Sequence, residues 1–244
     1  MKKYMMMVIL TMTVLGASAQ SKAEAYFSFR ELPNMLKWCP APPDTVGAAF
    51  AYDIMQYMWG KQMRQDKERA EIAIRDAVYS LECIMQEFSE PLGLKMSEEE
   101  TPEIFKLLRD AKATCENISG FPKYYYKRKR PFIRFNEPTA TPEFEPELRR
   151  NYSYPSGHTI LGWCSALLLT EINPERADTI LKRGMMYGES RVIVGAHWQS
   201  DVDAGRLAAA AAYARMHTSE RFLEQMQLAR QEFRIKTGLV TPDE

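Results

Sequence analysis

Apolar residues recur every three to four positions along most of this chain, which is the spacing of one face of an α-helix. The first such face is formed by Ala70, Ala73, Ala77, Leu81, Ile84 and Phe88. The second is formed by Ile104, Leu107, Leu108, Ala111 and Cys115. The last follows Thr218 and is formed by Phe222, Met226, Ala229 and Phe233. The pattern therefore predicts helices in all three regions.

Proline after a small polar residue marks two predicted helix starts. Thr101-Pro102 and Asn173-Pro174 each place a capping side chain before a residue that suits the first helical turn. Residues 204–214 are rich in Ala, which also favours helix.

Strand signals are sparse. The β-branched run Val192-Ile193-Val194 is too short for a strand, and Gly195 ends it. Proline-rich residues 32–46 and 137–154 predict loops. Because neither a repeat nor a linker divides the chain, we expect residues 20–244 to form one all-α domain, a compact helical bundle.

The N-terminus has the pattern of a secretory signal peptide over residues 1–19. Lys2 and Lys3 precede an apolar run, and small residues at 17–19 fit a cleavage site before Gln20. A membrane anchor is the alternative, but the apolar run is shorter than the roughly 20 residues needed to span a bilayer. We therefore expect a periplasmic or secreted protein.

Charge argues against nucleic acid as a partner. The chain has 32 basic and 32 acidic residues, and loss of Lys2 and Lys3 would leave a net charge of −2. Nor does the sequence predict stable insertion into a membrane, because no later stretch is long and apolar enough to span one.

The four cysteines would meet an oxidising compartment, where three full pairings are open to them. Their spacings are too wide for a zinc motif. Cys164 lies in an apolar run, which favours a buried free thiol, and one disulfide elsewhere is plausible. The others are Cys39, Cys83 and Cys115.

Lys123 and Arg130 form the first of three blocks that carry chemistry. On one helix their spacing is about two turns, so both side chains would share a face; Pro122 could open that helix and Pro131 close it. Two cations aimed at one point suit a phosphate, and Arg adds a planar fork. A solvated basic strip and a nucleic-acid patch remain open alternatives. The intervening residues suggest these alternatives, and they are Tyr124, Tyr125, Tyr126, Lys127, Arg128 and Lys129.

The second block is Pro155-Ser156-Gly157-His158, directly before an apolar run that we expect to be helical. Backbone N–H groups and the positive dipole end at such a helix start attract an anion. Gly157 leaves room for close approach, and His158 can donate a proton to a leaving oxygen. The alternative is an ordinary serine-capped helix start with an incidental histidine.

The third block holds Arg191, His197 and Asp201. If His197 opens a helix, Asp201 four residues later lies on the same face and can take one imidazole N–H, which leaves the other nitrogen free to attack. A bend at Gly195 can return the Arg191 guanidinium to the same anion. A surface His–Asp pair is the alternative, and His217 has no such pattern, so we expect it to be structural or exposed.

In order, the blocks match Lys-x6-Arg-Pro, Pro-Ser-Gly-His and Ser-Arg-x5-His-x3-Asp. This arrangement resembles the type 2 phosphatidic acid phosphatase superfamily, which also contains vanadium haloperoxidases. It is most similar to the secreted bacterial class A non-specific acid phosphatases, firmly from Lys123 to Phe233 and more loosely before. The segments that support this are Ser153–Thr159, Glu171–Pro174, Ile180–Gly184 and His197–Asp203.

The resemblance implies a compact all-α fold and hydrolysis of small phosphomonoesters with no metal and no cofactor. It implies that His197 forms a phosphohistidine, that Asp201 orients it, and that His158 protonates the leaving alcohol and later activates water. The phosphoryl oxygens would be held by Lys123, Arg130, Ser156, Gly157 and Arg191. Inhibition by inorganic phosphate or vanadate, phosphotransfer and a homo-oligomer are further expectations.

Asp201 and the cations should move the pKa values of the two histidines differently, so we expect a bell-shaped pH profile with an acidic optimum. A vanadium-dependent haloperoxidase, a soluble lipid-phosphate phosphatase and a non-enzymatic phosphate or nucleic-acid binder are the alternatives. Known haloperoxidases of this kind are longer, and the lipid enzymes usually span a membrane several times. The intact set of two histidines and a carboxylate argues against a mere binder.

Overall fold

A computed structural model describes residues 22–240, and within that range the chain has ten α-helices, three short 3-10 helices and no strand. The α-helices are α1 (Ala48–Met63), α2 (Lys67–Arg75), α3 (Leu81–Leu92), α4 (Pro102–Tyr126), α5 (Pro131–Phe135), α6 (Glu145–Leu148), α7 (Gly157–Ile172), α8 (Ala177–Ile193), α9 (Gln199–Met216) and α10 (Glu220–Lys236). The all-α prediction is confirmed. The predicted signal segment, residues 1–19, lies outside the described residues.

The helix starts follow the capping residues in the sequence. Helix α4 begins at Pro102, as predicted, and α10 begins after Ser219, whose hydroxyl accepts the Phe222 N–H. Asn173-Pro174 leads through a 3-10 turn into α8. No helix in residues 22–240 is both long and apolar enough to cross a bilayer.

The apolar face predicted between residues 70 and 88 belongs to two helices rather than one. Helix α2 ends at Arg75, and Ser80 caps α3 by accepting the Cys83 N–H at 3.1 Å. Between them the buried Asp76 carboxylate turns inward to accept hydrogen bonds from Arg183 and from the Ser190 hydroxyl. Periodicity continues across this break because both helices pack against α8, although Ala73 of α2 and the buried residues of α3 belong to separate apolar clusters.

Helix α7 lies at the centre of the bundle, packed against α4, α8 and α9. Glycines allow this close approach, because a Cβ on Gly162 would lie 2.3 Å from the Tyr187 ring and one on Gly205 would lie 3.0 Å from the Ser156 carbonyl oxygen. The Ser156 N–H also donates to the Asp201 carbonyl at 3.0 Å. Packing thus places the first turn of α7 beside the first turn of α9.

All four cysteines lie within the described residues and are free. Cys164 is a buried free thiol, as predicted. The one disulfide that the sequence allowed is therefore not formed in this structure.

Candidate active site

The three sequence blocks meet around one cavity of about 550 Å³. Lys123 comes from the last turn of α4, Arg191 from the end of α8, and His197 from the segment just before α9. Six of the eight predicted site residues line the cavity, and they are Lys123, Arg130, Gly157, His158, Arg191 and His197. Ser156 and Asp201 are fully buried beside them.

Lys123 and Arg130 do not share a helix face, so that prediction is wrong. Helix α4 ends at Tyr126, and Lys127 turns the chain with a φ of +48°, in the left-handed region. Pro122 lies inside α4 instead of opening it, and Arg130 is extended. The two cations meet because the chain doubles back after α4.

Burial makes the Lys123 ammonium group easier to deprotonate. Its Nζ donates to the Tyr152 carbonyl at 2.9 Å and to the Pro155 carbonyl at 2.7 Å. Desolvation, and then the nearby Arg130 charge, lower the pKa of Lys123 to about 7. A dianion bound in the cavity would favour the protonated amine.

Arg130 is fixed by backbone carbonyls, whereas Arg191 has donors to spare. Arg130 donates to the carbonyls of Leu148 and Ala196, both at 3.0 Å, and burial lowers its pKa to about 9. Nε and Nη1 of Arg191 are buried and have no hydrogen-bond partner among residues 22–240. Because unpaired buried donors are costly, an anion in the cavity would satisfy Arg191.

The Ser156 side chain caps α7, and its hydroxyl can still donate a hydrogen bond. Its hydroxyl oxygen accepts the Thr159 N–H at 3.3 Å and the Thr159 hydroxyl at 2.9 Å, so its own O–H remains a donor. Gly157 is the first residue of α7, and a Cβ there would meet no protein atom within 4 Å. The open space beside Gly157 and the unpaired first N–H groups of the helix suit an anion.

The two ring nitrogens of His197 have different partners. Nε2 lies 2.9 Å from Nη1 of Arg130, which is only a donor, so Nε2 carries the lone pair. Nδ1 lies 3.3 Å from Oδ2 of Asp201 and therefore holds the proton. His197 precedes α9 instead of opening it, but Asp201 in its first turn is still within reach.

His158 is held by the loop between α2 and α3. Its Nε2 lies 3.0 Å from the Ala77 carbonyl, which can only accept, so Nε2 carries a proton and Nδ1 is the nitrogen left for chemistry. The Tyr79 ring packs against the imidazole, with 4.8 Å between centroids.

Burial dominates the electrostatics of both histidines. It lowers the pKa of His158 well below its usual range, with Arg191 adding to the effect. Burial, and then Arg130 and Lys123, also lower the pKa of His197 well below that range. The two sites differ in which cations add to the effect of burial, but both pKa values move in the same direction because desolvation is the largest cause at each.

Comparison with known proteins identifies the family. Residues 111–223, which include all eight predicted site residues, match the model of the PAP2 superfamily. Non-specific acid phosphatases from Salmonella typhimurium and Providencia stuartii are 36% and 40% identical to this chain over 249 and 220 residues. These matches cover 100% and 89% of this chain, and 98% and 88% of the relatives. An acid phosphatase from Zymomonas mobilis is 32% identical over 96% of this chain and 88% of its own length.

This chain belongs to the PAP2 superfamily. The resemblance to bacterial class A acid phosphatases that rested on the three blocks is confirmed at the level of family.

Sequence reasoning missed three side chains in this PAP2 site. Arg128, Ser153 and Asp53 all lie around Asp201 or its neighbours. Arg128 looked like part of a solvated strip, yet burial alternates there: Lys129 is exposed while Arg128 and Arg130 turn inward. Side chains two apart on extended backbone share a side, which was the available signal for Arg128. Asp53 had no such signal.

Sulfate should bind this PAP2 protein less tightly as the pH rises through about 7, because Lys123 loses its charge there. Sulfate stays a dianion in this range, and burial lowers the pKa values of both histidines well below their usual range, so we expect Lys123 to be the group that titrates. With one proton linked to binding, the dissociation constant should rise about tenfold per pH unit above 7. Calorimetric titration between pH 6 and 8.5 measures this, with Lys123→Met as the reference. Equal slopes in the two proteins would contradict the assignment.

Proposed function

We propose that this chain, an acid phosphatase by its family, hydrolyses small phosphomonoesters through a phosphohistidine on His197, without a metal. The observation that carries the proposal is the pair of partners at the two ring nitrogens of His197, which assigns its tautomer. Its Nε2 lone pair points to the Arg130 guanidinium at 2.9 Å, while Asp201 holds the Nδ1 proton. A phosphoryl group bound by Arg130 therefore meets a nucleophilic nitrogen.

Binding of the phosphoryl group rests on fixed cations. Lys123 and Arg130 are anchored by backbone carbonyls and Arg191 is buried, so the three cations need little reorganisation when charge develops on phosphorus-bound oxygens. Charge-assisted hydrogen bonds are worth roughly 1.5–3 kcal/mol each, so several of them bind an anion tightly. The Ser156 hydroxyl and the first N–H of α7 add donors.

The reaction follows from the two histidines. Nε2 of His197 attacks phosphorus, the P–O bond to the alcohol breaks, and the leaving oxygen takes a proton from Nδ1 of His158. Asp201 stabilises the positive imidazole of the phosphohistidine. In the second step water gives a proton to Nδ1 of His158 as its oxygen attacks phosphorus. The P–N bond then breaks, its electron pair returns to Nε2, and phosphate leaves.

An acidic optimum is consistent with the lowered pKa values. His197 stays neutral in acid because its pKa is lowered, so the nucleophile survives at low pH. His158 needs a proton to act as an acid, and its lowered pKa means that this proton is present only in acid unless the bound dianion raises that pKa. The rate should therefore fall as the pH rises.

Location and further activities extend the proposal. The signal-peptide pattern of residues 1–19 supports export to the periplasm or beyond. Inorganic phosphate or vanadate should inhibit the enzyme by competing with substrate for the three cations. An alcohol that replaces water in the second step would make the enzyme a phosphotransferase. A homo-oligomer remains an expectation from the family.

Purified residues 20–244 should hydrolyse p-nitrophenyl phosphate and glycerol phosphate in excess EDTA, with a maximum at acidic pH. Initial rates from pH 4 to 9, with and without inorganic phosphate, measure this. A folded protein that shows no turnover would contradict the proposal and direct attention to lipid phosphates or to bromide oxidation with vanadate and peroxide. A rate that rises steadily to about pH 9 would contradict the histidine scheme, because that lies beyond an ordinary histidine pKa.

A further inference from the structure

The Asp201 carboxylate is fixed on both oxygens. Oδ2 accepts hydrogen bonds from the Ser153 hydroxyl and from the Trp198 N–H at 2.9 Å, and it faces Nδ1 of His197. Oδ1 accepts a charge-assisted bond from Nη1 of Arg128 at 2.5 Å. Because Asp201 is fully buried, its orientation depends entirely on these protein partners.

Arg128 is itself held by a second buried carboxylate, that of Asp53 on α1. Nη2 of Arg128 donates to Oδ2 of Asp53 at 2.6 Å, while Nη1 also reaches the Ser200 hydroxyl at 2.7 Å. Asp53 in turn accepts the Ser200 N–H at 2.8 Å and the Ser200 hydroxyl at 2.6 Å. The guanidinium is only 8% exposed and Asp53 is not exposed, so the pair lies in a low-dielectric setting.

The backbone around Arg128 orients the other partners of Asp201. The Arg128 carbonyl accepts the Ser153 N–H at 2.9 Å, and the next carbonyl, that of Lys129, accepts the Trp198 indole N–H at 2.8 Å. The Arg128 guanidinium also lies over the Trp198 ring, 5.6 Å from its centroid. One short segment therefore supports three of the contacts that set the plane of the Asp201 carboxylate.

Charge explains why two carboxylates share one arginine. If Arg128 paired with Asp201 alone, it would neutralise the carboxylate that must hold the His197 proton. Arg128 also pairs with the Asp53 carboxylate. The group of Asp53, Arg128 and Asp201 therefore has two carboxylates and one guanidinium, so it keeps one net negative charge facing His197. Removing Arg128 would leave two buried carboxylates without their cation, which is costly.

We propose that Arg128 and Asp53 are positioning residues that hold Asp201 so that His197 keeps its Nδ1–H tautomer and presents Nε2 to the substrate. Neither residue lines the cavity, so both act through Asp201. The inference rests on the proposed role of His197 as nucleophile. Asp53 and Arg128 thus form a buried chain of charged hydrogen bonds that runs from α1 through Asp201 to His197, and we call these two residues the relay.

The test compares Asp53→Asn, Arg128→Lys and the wild type, with Lys129→Gln as the control because the Lys129 side chain is exposed in the same segment. We expect kcat to fall about 10- to 100-fold in both relay variants with KM within about twofold, by analogy with the loss seen when the hydrogen-bond partners behind a metal-ligating histidine are removed. Long-range ¹H–¹⁵N spectra should show the Nδ1–H tautomer of His197 in the wild type and the control. The relay variants should show a shift towards Nε2–H.

Two results would overturn the inference. One is kcat within twofold of the wild type in a relay variant with an unchanged melting temperature. The other is an Nε2–H tautomer in the wild type, which needs no variant to fold. Quenching the wild type in alkaline SDS after mixing with ³²P-labelled substrate reports separately on the proposed function, because the P–N bond of phosphohistidine survives base: labelled protein supports the phosphohistidine. Absence of label, with the tautomer shift still present, would leave the relay intact and remove the nucleophile.

Discussion

Replacing His197 with Ala should reduce kcat by a factor on the order of 10⁶, the scale on which hydrolases lose activity with their nucleophile. The reason is that Nε2 of His197 is the nitrogen whose lone pair faces the guanidinium of Arg130, to which we assign the binding of the phosphoryl group. Steady-state rates on p-nitrophenyl phosphate measure the rate, and ³²P labelling quenched in alkaline SDS, which preserves a P–N bond, measures the intermediate. Phosphate release and labelling should be lost together.

His217→Ala is the matched control for His197→Ala. The chain has three histidines, and His217 lies at the end of α9, where it contacts Glu171 at 3.0 Å and packs on Tyr213. That cluster is outside the cavity, so turnover should stay within about twofold of the wild type. Full labelling in His197→Ala, or equal losses in the two variants, would refute the assignment of the nucleophile.

That these residues meet around one cavity could be predicted because each block suits the same anion. Lys123, Arg130 and Arg191 supply charge, and a helix start and two histidines complete a phosphate-handling set whose order along the chain is informative. The course of the backbone that brings these side chains together could not be predicted from the same pattern. The left-handed turn at Lys127, which separates Lys123 from Arg130, has no glycine to mark it.

The buried carboxylates could not be predicted because they depend on contacts between distant parts of the chain. Asp53 lies on α1, and nothing in its local pattern distinguishes it from a surface acid, yet it accepts from Arg128 and Ser200 in the core. Asp76 breaks the helical pattern for a similar reason, since Arg183 draws its carboxylate inward. Periodicity reports which face of a helix is buried, but pairing of buried charges depends on the assembled fold.

Replacing His158 with Ala should slow the enzyme in proportion to the basicity of the leaving group. Loss of a general acid costs about 10²–10⁴ in rate, and that full cost should appear with alkyl phosphates, whose alkoxides need a proton to leave. p-Nitrophenolate is a weak base that leaves without one, so kcat/KM on p-nitrophenyl phosphate should fall far less. The value of kcat/KM excludes the hydrolysis of the phosphohistidine, which is the same for every ester, so the slope of log kcat/KM against leaving-group pKa measures this across phosphate esters of graded alcohols and phenols.

The slope separates proton donation by His158 from a role in packing. His158 contacts Ala77 and the Tyr79 ring, so its removal could also loosen the loop that carries them. Tyr79→Leu removes the ring contact and keeps the imidazole, so it should change the rates on all esters by a similar factor and leave the slope near that of the wild type. A parallel loss of kcat/KM on every ester in His158→Ala would refute proton donation, because a damaged pocket does not distinguish leaving groups by their basicity.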